Sequence, residues 1–251
     1  YVGLMSEAPL DTGIDNFRAG DLLLPQPVAV TTNTTPTGTV AVPPGGQAGD
    51  VYVINSHHYF SATAANGNAL SAGFTEIVGV SGAYSSGEMV STAIAKVFDG
   101  TEGANFTVTV DGGGVPDARW YITCTVWRNV DVSGGTIASI IDGTPTTKSG
   151  GGTSWSIPTI TTTVNYSVAV VGAAVSSGSW AIDTPTDPTN HPSIMDDMIS
   201  LDLREYTSDS YLVLGEAGNP GSVKYSVSPS THTAILYALK ALLVPPTGTP
   251  R

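Results

Sequence analysis

Side chains able to ligate a metal or move a proton are scattered along this sequence rather than gathered in one motif. Two of the four histidines, His57 and His58, are adjacent and follow an apolar segment. Neighbours on a strand point to opposite sides, so a strand here keeps the pair from sharing one metal, whereas a loop would let them converge. His191 and His232 are remote from them in the chain. Carboxylates gather at Asp183, Asp187, Asp196, Asp197 and Asp202. Such a set suits the many-oxygen shell of Ca²⁺, but no D-x-[DN]-x-[DN]-G loop accompanies it. Asp183 and Asp187 flank prolines, as turn residues do, so a solvated acidic loop is the competing reading. No metal ligand and no cofactor is assigned.

Nucleophilic chemistry has no better signature. A Ser-His-Asp hydrolase needs a nucleophile elbow or an equivalent geometry, and no G-x-S-x-G occurs. Glycosidase-type work needs two carboxyl groups at a set separation. Glu7, Glu76, Glu88, Glu102, Glu205 and Glu216 share no motif that would bring them together. The single cysteine, Cys124, lies in an apolar alternation and reads as a small buried hydrophobe rather than a nucleophile; alone, it forms no intramolecular disulfide. Tyr121 and Trp127 lie on the less apolar side of their segment, and Trp155 and Trp180 lie in Ser/Gly-rich stretches. These aromatics are open to three readings: core packing, a protein interface, or stacking on sugar. Asn33, Asn105 and Asn165 match N-x-[ST], which a Ser/Thr-rich chain produces by chance. No catalytic residue is assigned, and the chain is not expected to be an enzyme.

The elements that would position these residues are strands. Asn105–Val110 alternates strictly, with Phe106, Val108 and Val110 opposite Asn105, Thr107 and Thr109. Trp120–Trp127 does the same, with Trp120, Ile122, Cys124 and Val126 against Tyr121, Thr123, Thr125 and Trp127. Val164–Val170 and Val223–Val227 repeat the pattern. Period two marks half-buried strands, and one-sided alternation marks antiparallel sheets with a solvated face. Further strands are expected at 28–32, 38–42, 50–54, 74–80, 92–98, 136–140, 199–204, 210–214 and 232–242. Turn residues separate them at Pro43–Gly46, Asp99-Gly100, Asp111–Gly114, Gly150–Gly152 and Asn219–Gly221. Ser193–Leu201 could form a turn or two of helix. Ala234–Val244 reads as a terminal core strand in spite of its helix-favouring residues, because nothing caps a helix there. About a dozen short strands point to a sandwich or barrel. The expected fold is all-β, a two-sheet antiparallel sandwich of jelly-roll kind over residues 27–244. An extended N-terminal arm, residues 1–26, precedes it, and a tail, residues 245–251, follows.

Composition narrows the partners. The chain has 251 residues, 41% of them hydrophobic and only 12% charged, enough apolar material for one all-β domain and about half the usual ~25% charge. Lys and Arg number 9 against 21 Asp and Glu, for a net charge of −12, and no basic cluster exists. Nucleic-acid affinity comes mainly from clustered Lys and Arg on phosphates, so no nucleic-acid partner is expected, nor an anionic membrane surface. No apolar run reaches the roughly 18 residues of a membrane helix, and no signal peptide is evident.

The order of segments is similar to that of a known class. Gly38–Asp50 runs into the apolar Val51–Ile54, and Phe74–Val78 follows. The Asp99-Gly100-Thr101-Glu102 turn then leads into Phe106–Val110, Trp127–Asp131 follows the central strand, and Ala234–Leu242 closes the β region. Over roughly residues 37–241 this resembles the jelly-roll-like β-sandwich domains of bacteriophage and bacterial surface proteins found in virion decoration, head-fibre and tail-associated proteins. The resemblance implies a structural role on the phage particle: a capsid decoration or cement protein, or a tail- or fibre-associated subunit. Its partners would be other virion proteins and further copies of itself in a homo-oligomer. Two alternatives stand beside it. One is a carbohydrate-binding or adhesive module meeting a host-surface glycan, with calcium as an option, placed outside the cell or on its surface. The other is a subunit of an extracellular filament, in which the arm completes a neighbour's sheet.

Overall fold

The computed structural model describes residues 22–35, 37–60, 67–84, 87–111, 120–157, 159–177, 195–202, 205–215, 217–218 and 223–243. Nearly all of them are β. In chain order the elements are β1 (Leu22–Leu23), β2 (Gln26–Asn33), β3 (Thr39–Ala41), β4 (Val51–Phe60), β5 (Ala69–Ser71), β6 (Thr75–Tyr84), β7 (Gly87–Val97), β8 (Asn105–Val110) and β9 (Trp120–Arg128). Then come α1 (Ile137–Ile140), β10 (Thr146–Ile157), β11 (Val168–Ser177), β12 (Met195–Asp202), β13 (Glu205–Val213), β14 (Val223–Leu239) and β15 (Leu242–Leu243). Among the described residues no helix is long and apolar enough to cross a membrane.

The fold is an antiparallel sandwich. A central five-stranded sheet, in the order β2-β9-β4-β7-β6, packs against a second five-stranded sheet, β10-β14-β11-β13-β12. A three-stranded sheet, β3-β8-β5, covers the other side of the central one. The small sheet behaves as its sequence predicts: β8 alternates exposed and buried at every residue, with Phe106, Val108 and Val110 inward. The central sheet departs from the expectation of one solvated face. Every residue of β4 is buried, and so is all of β9 except Arg128. The apolar set of β4 and β9 (Tyr52, Ile54, Ile122, Cys124, Val126) meets Val40, Phe106 and Val108 of the small sheet. The opposite set, including Val51, Val53 and Trp127, meets Val168, Val170, Tyr211, Ile235 and Tyr237 of the second sheet. Alternation in these strands therefore sorts side chains between two interiors rather than between core and water.

Close approach at one corner is set by a glycine. A Cβ on Gly82 of β6 would sit 3.2 Å from Ser149 Cβ and 3.2 Å from Thr233 Cγ2, atoms of β10 and β14. At another corner, side chains of β2 tie down the free edge of β3: Thr31 Oγ1 donates to the Ala41 carbonyl and Asn33 Nδ2 to the Thr39 carbonyl.

Several boundaries differ from those read off the sequence. The segment 136–140 forms α1 rather than a strand. Thr136 caps it by accepting from the Ser139 amide, and Ser139 reciprocates, a capping box that sets a helical turn here. Gly150–Gly152 is not a turn; it lies inside β10, paired with β14, with a register shift between Gly152 and Ser154. Residues 195–201 belong to strand β12, not to a helix. Val164 and Tyr166 precede β11 rather than extending it, and Tyr166 adopts φ 64°. Ala234–Leu239 is core strand, as expected. The arm's last residues fold onto the chain itself: Leu22 pairs with Leu243 and Leu23 with Leu242, and β2 opens at Gln26. Residues 1–21 and the tail 245–251 lie outside the described residues.

Candidate functional site

The densest group of chemically capable side chains lies between the two five-stranded sheets. Strand β4 sends Asn55 and His57 into this space, β7 sends Ser91, β9 sends Thr123, β13 sends Asp209, and β14 sends Thr233 and Tyr237. Asp209 is the hub. Its Oδ1 accepts from Asn55 Nδ2 at 3.1 Å and lies 3.2 Å from His57 Nε2, while Oδ2 accepts from Thr123 Oγ1 at 2.6 Å. The other imidazole nitrogen, Nδ1, shares a hydrogen bond with Ser91 Oγ at 2.8 Å, and Ser91 shares one with Thr233 Oγ1 at 2.7 Å. Tyr237 OH donates to Asn55 Oδ1 at 3.1 Å, and burial, reinforced by the nearby Asp209, pushes that phenol well above its usual range. Gly172 of β11 makes the space: a Cβ there would lie 2.8 Å from Asp209 Oδ1 and 3.1 Å from His57 Cε1.

Ser91, His57 and Asp209 thus form a Ser-His-Asp line, the composition of a hydrolytic triad. The surroundings give it another use. Ser91 and Asp209 are 0% exposed and His57 is 2% exposed, and Thr233 occupies the remaining side of the Ser91 hydroxyl. A nucleophile must meet a carbonyl carbon; this hydroxyl meets only protein. What the line does is join the sheets, since His57, Ser91, Asn55 and Thr123 belong to one and Asp209, Thr233 and Tyr237 to the other. In a low-dielectric interior, donors matched to a carboxylate fix which residues face each other, because any other register leaves polar groups buried and unpaired.

His58 points the opposite way, as adjacent strand residues must. Its Nε2–H donates to the Gly67 carbonyl at 3.1 Å, and its Nδ1 lies 3.4 Å from Ser56 Oγ, which accepts from Trp120 Nε1 at 2.7 Å. Burial lowers its pKa to about 4, against the pull of the Gly67 carbonyl and with help from His57. The two histidines therefore serve two different interiors and share no ligand. His232 is buried on β14, and His191 lies outside the described residues. Among the described residues no group of three or more His, Cys, Asp or Glu is placed to hold a metal ion.

The remaining candidates separate in the same manner. Tyr121 and Trp127 are buried, Trp127 edge-on against Tyr211 at 5.6 Å, so neither presents a face to a sugar. Trp180, Asp183 and Asp187 lie outside the described residues, as do the side chains of Trp155, Asp196, Asp197 and Asp202. Cys124 is buried, and burial pushes its thiol up. Glu76 accepts from Asn68 Nδ2 at 2.9 Å, and Glu88 is buried at the start of β7.

The segments that carried the family resemblance act as clasps on loops. Asp50 takes Arg128 in two contacts, Nη2 at 2.9 Å and Nε at 3.2 Å, and accepts from the Gln47 amide at 2.9 Å. Arg128 also donates to the Gly45 carbonyl, so the Pro43–Gly46 turn is held against the end of β9. In Asp99–Glu102 the two carboxylates take the turn's own amides, Gly100 N to Glu102 at 2.9 Å and Thr101 N to Asp99 at 2.8 Å, and Lys96 bridges both at 3.1 Å. Asp142 belongs to no sequence motif. It is wholly buried and accepts from Thr163 N and Oγ1, Val164 N and Ser167 Oγ, which pins the loop before β11. Burial raises its carboxyl, but these donors outweigh burial and leave it below the usual range. Its one visible signal was a lone acid in an apolar setting, Ile140-Ile141-Asp142. No family model, curated protein or solved structure matches the chain.

Proposed function

We propose that the protein is a structural component of a bacteriophage virion, a capsid decoration or cement protein or a tail- or fibre-associated subunit, acting through protein–protein contacts. The observation that carries this reading is the Asp209 hub. The side chains best suited to catalysis serve as cross-links between two buried sheet faces, and the turn motifs that resemble those of phage surface domains serve as loop clasps. Both favour a rigid building block whose work lies on its outer surface. The first test is mass spectrometry of density-gradient-purified particles from the host that encodes the chain. The protein is expected at stoichiometric copy number, and its absence from every particle fraction overturns the reading.

The arm supplies a sharper test. Leu22–Leu23 belong to the folded body, so the informative deletion removes residues 1–21. The truncated protein is expected to melt as the full chain does and to lose attachment to particles. Unchanged attachment takes the arm out of the proposal.

A further inference from the structure

Asn55 and Thr123 are register partners on neighbouring strands of the central sheet, and both side chains end on the same carboxylate. Thr123 Oγ1–H donates to Asp209 Oδ2 at 2.6 Å, and Asn55 Nδ2–H donates to Oδ1 at 3.1 Å. Satisfying Asp209 would need donors alone. Asn55 brings an acyl carbon as well, and its carbonyl oxygen accepts from Tyr237 OH at 3.1 Å. A hydroxyl on a carboxylate, beside a carboxamide whose oxygen is held by a phenol, is the set that acyl transfer uses. It comprises a nucleophile, a base and a donor for the oxygen that gains charge. Asn55 is 3% exposed, Thr123 1%, and Asp209 and Tyr237 0%, so water is kept from competing for the acyl group. Ser91, by contrast, is taken up by His57 and Thr233.

We infer that the folded chain cross-links itself, through an ester between Thr123 Oγ1 and the side-chain carbonyl carbon of Asn55. As the Thr123 oxygen bonds to Asn55 Cγ, its proton passes to Asp209. The π electrons of the carbonyl move onto Asn55 Oδ1, where Tyr237 OH donates to them. When that oxygen re-forms its double bond the C–N bond breaks. The leaving nitrogen takes the proton back from the Asp209 carboxyl, which already touches it through Oδ1. One ester and one ammonia replace one hydroxyl and one carboxamide, and neither an oxidant nor water is consumed. The reaction runs once per chain and only after folding, because Asn55 and Thr123 stand on β4 and β9 while Asp209 and Tyr237 come from β13 and β14 of the other sheet. The product ties β4 to β9 and closes the chain from residue 55 to residue 123 into a loop, restricting the unfolded state as a disulfide does. In a chain with a single cysteine it is a staple that needs no oxidation. The inference does not rest on the virion reading, since the bond and particle attachment are measured separately.

The test is the intact mass of the full chain, purified in urea and then followed as it refolds. The refolded sample is expected to lose the mass of one ammonia, and the sample kept in urea to keep its full mass. Trypsin should then release residues 19–96 joined to residues 120–128, and hydroxylamine, which opens esters, should separate the two. Thr123→Val is expected to abolish the loss. Tyr237→Phe is expected to slow it about a hundredfold, the scale for one donor to a developing oxyanion. Full mass in the refolded, unaltered chain overturns the inference, and that measurement needs no variant to fold. A loss that survives Thr123→Val, one that maps to a succinimide at Asn66-Gly67, or an unchanged rate in Tyr237→Phe overturns it equally.

Discussion

The two sides of the central sheet are built from the same strands and buried to the same degree, yet they hold their neighbours differently. Towards the small sheet the contacts are mostly apolar and aromatic, such as Tyr52 edge-on to Phe106 at 5.3 Å and Phe74 to Phe106 at 4.9 Å. Towards the second sheet, apolar contacts at one end give way to a polar hub around Asp209 at the other. Apolar packing is adaptable: a lost methyl costs little if neighbours close in. A buried carboxylate with matched donors is not, because each orphaned donor bears its full desolvation penalty. The difference predicts a tolerant interior and an intolerant one within the same molecule.

The sharpest break of this contrast is Asp209→Ala. Removing the acceptor leaves Asn55, His57 and Thr123 facing one another between the sheets, and a loss of about 3–5 kcal/mol is expected by urea unfolding, since each of the three orphaned buried groups costs about 1–3 kcal/mol before neighbours relax. A loss under ~1 kcal/mol would show that the hub is dispensable. Next in size is a pH effect on the opposite side. His58 has a folded pKa of about 4 and an unfolded value near 6.5, so between these pH values the unfolded chain binds the extra proton. Stability is then full above about pH 6.5 and falls as the pH drops towards 4, by up to ~3 kcal/mol for this group. His58→Gln should flatten that part of the profile, and an unaltered slope assigns the acid sensitivity elsewhere. The smallest effects give the cleanest comparison. Thr123→Val preserves shape but removes a donor to Asp209 and should cost about 1.5–3 kcal/mol. Ile94→Val, on the apolar side, removes a methylene and should cost about 0.5–1.5 kcal/mol. Equal losses would erase the distinction between the two interiors.

Much of the fold was legible because strands announce themselves by alternation. Segments 105–110 and 120–127 are strands for the reason their sequences suggest, and 234–239 is a strand where the absence of a helix cap left that reading open. Alternation reports which side a residue faces, however, and is silent on what lies there. Thr123 and Tyr121 read as a solvated face because polar residues usually mark one, and only the pairing of sheets remote in sequence turns that face into a second interior. The polar hub was hidden for the same reason. His57, Ser91, Thr123 and Asp209 come from four strands, and no local spacing links them. The glycines of 150–152 are ambiguous in another way: Gly signals a turn when it bends the chain, but within β10 the three pair in register with His232, Thr231 and Ser230 of β14.

The pairing of Leu22–Leu23 with Leu242–Leu243 has a mechanical consequence. Because β1 and β15 run antiparallel, residues 22 and 243 lie side by side, and among the described residues their ribbon has two residue pairs. Tension applied between residue 22 and residue 243 meets these pairs one after the other, like a zip, rather than all at once as in shear. The ribbon is therefore the molecule's compliant element. A load would open it first and reach the cross-linked sheets only after the clasp had let go.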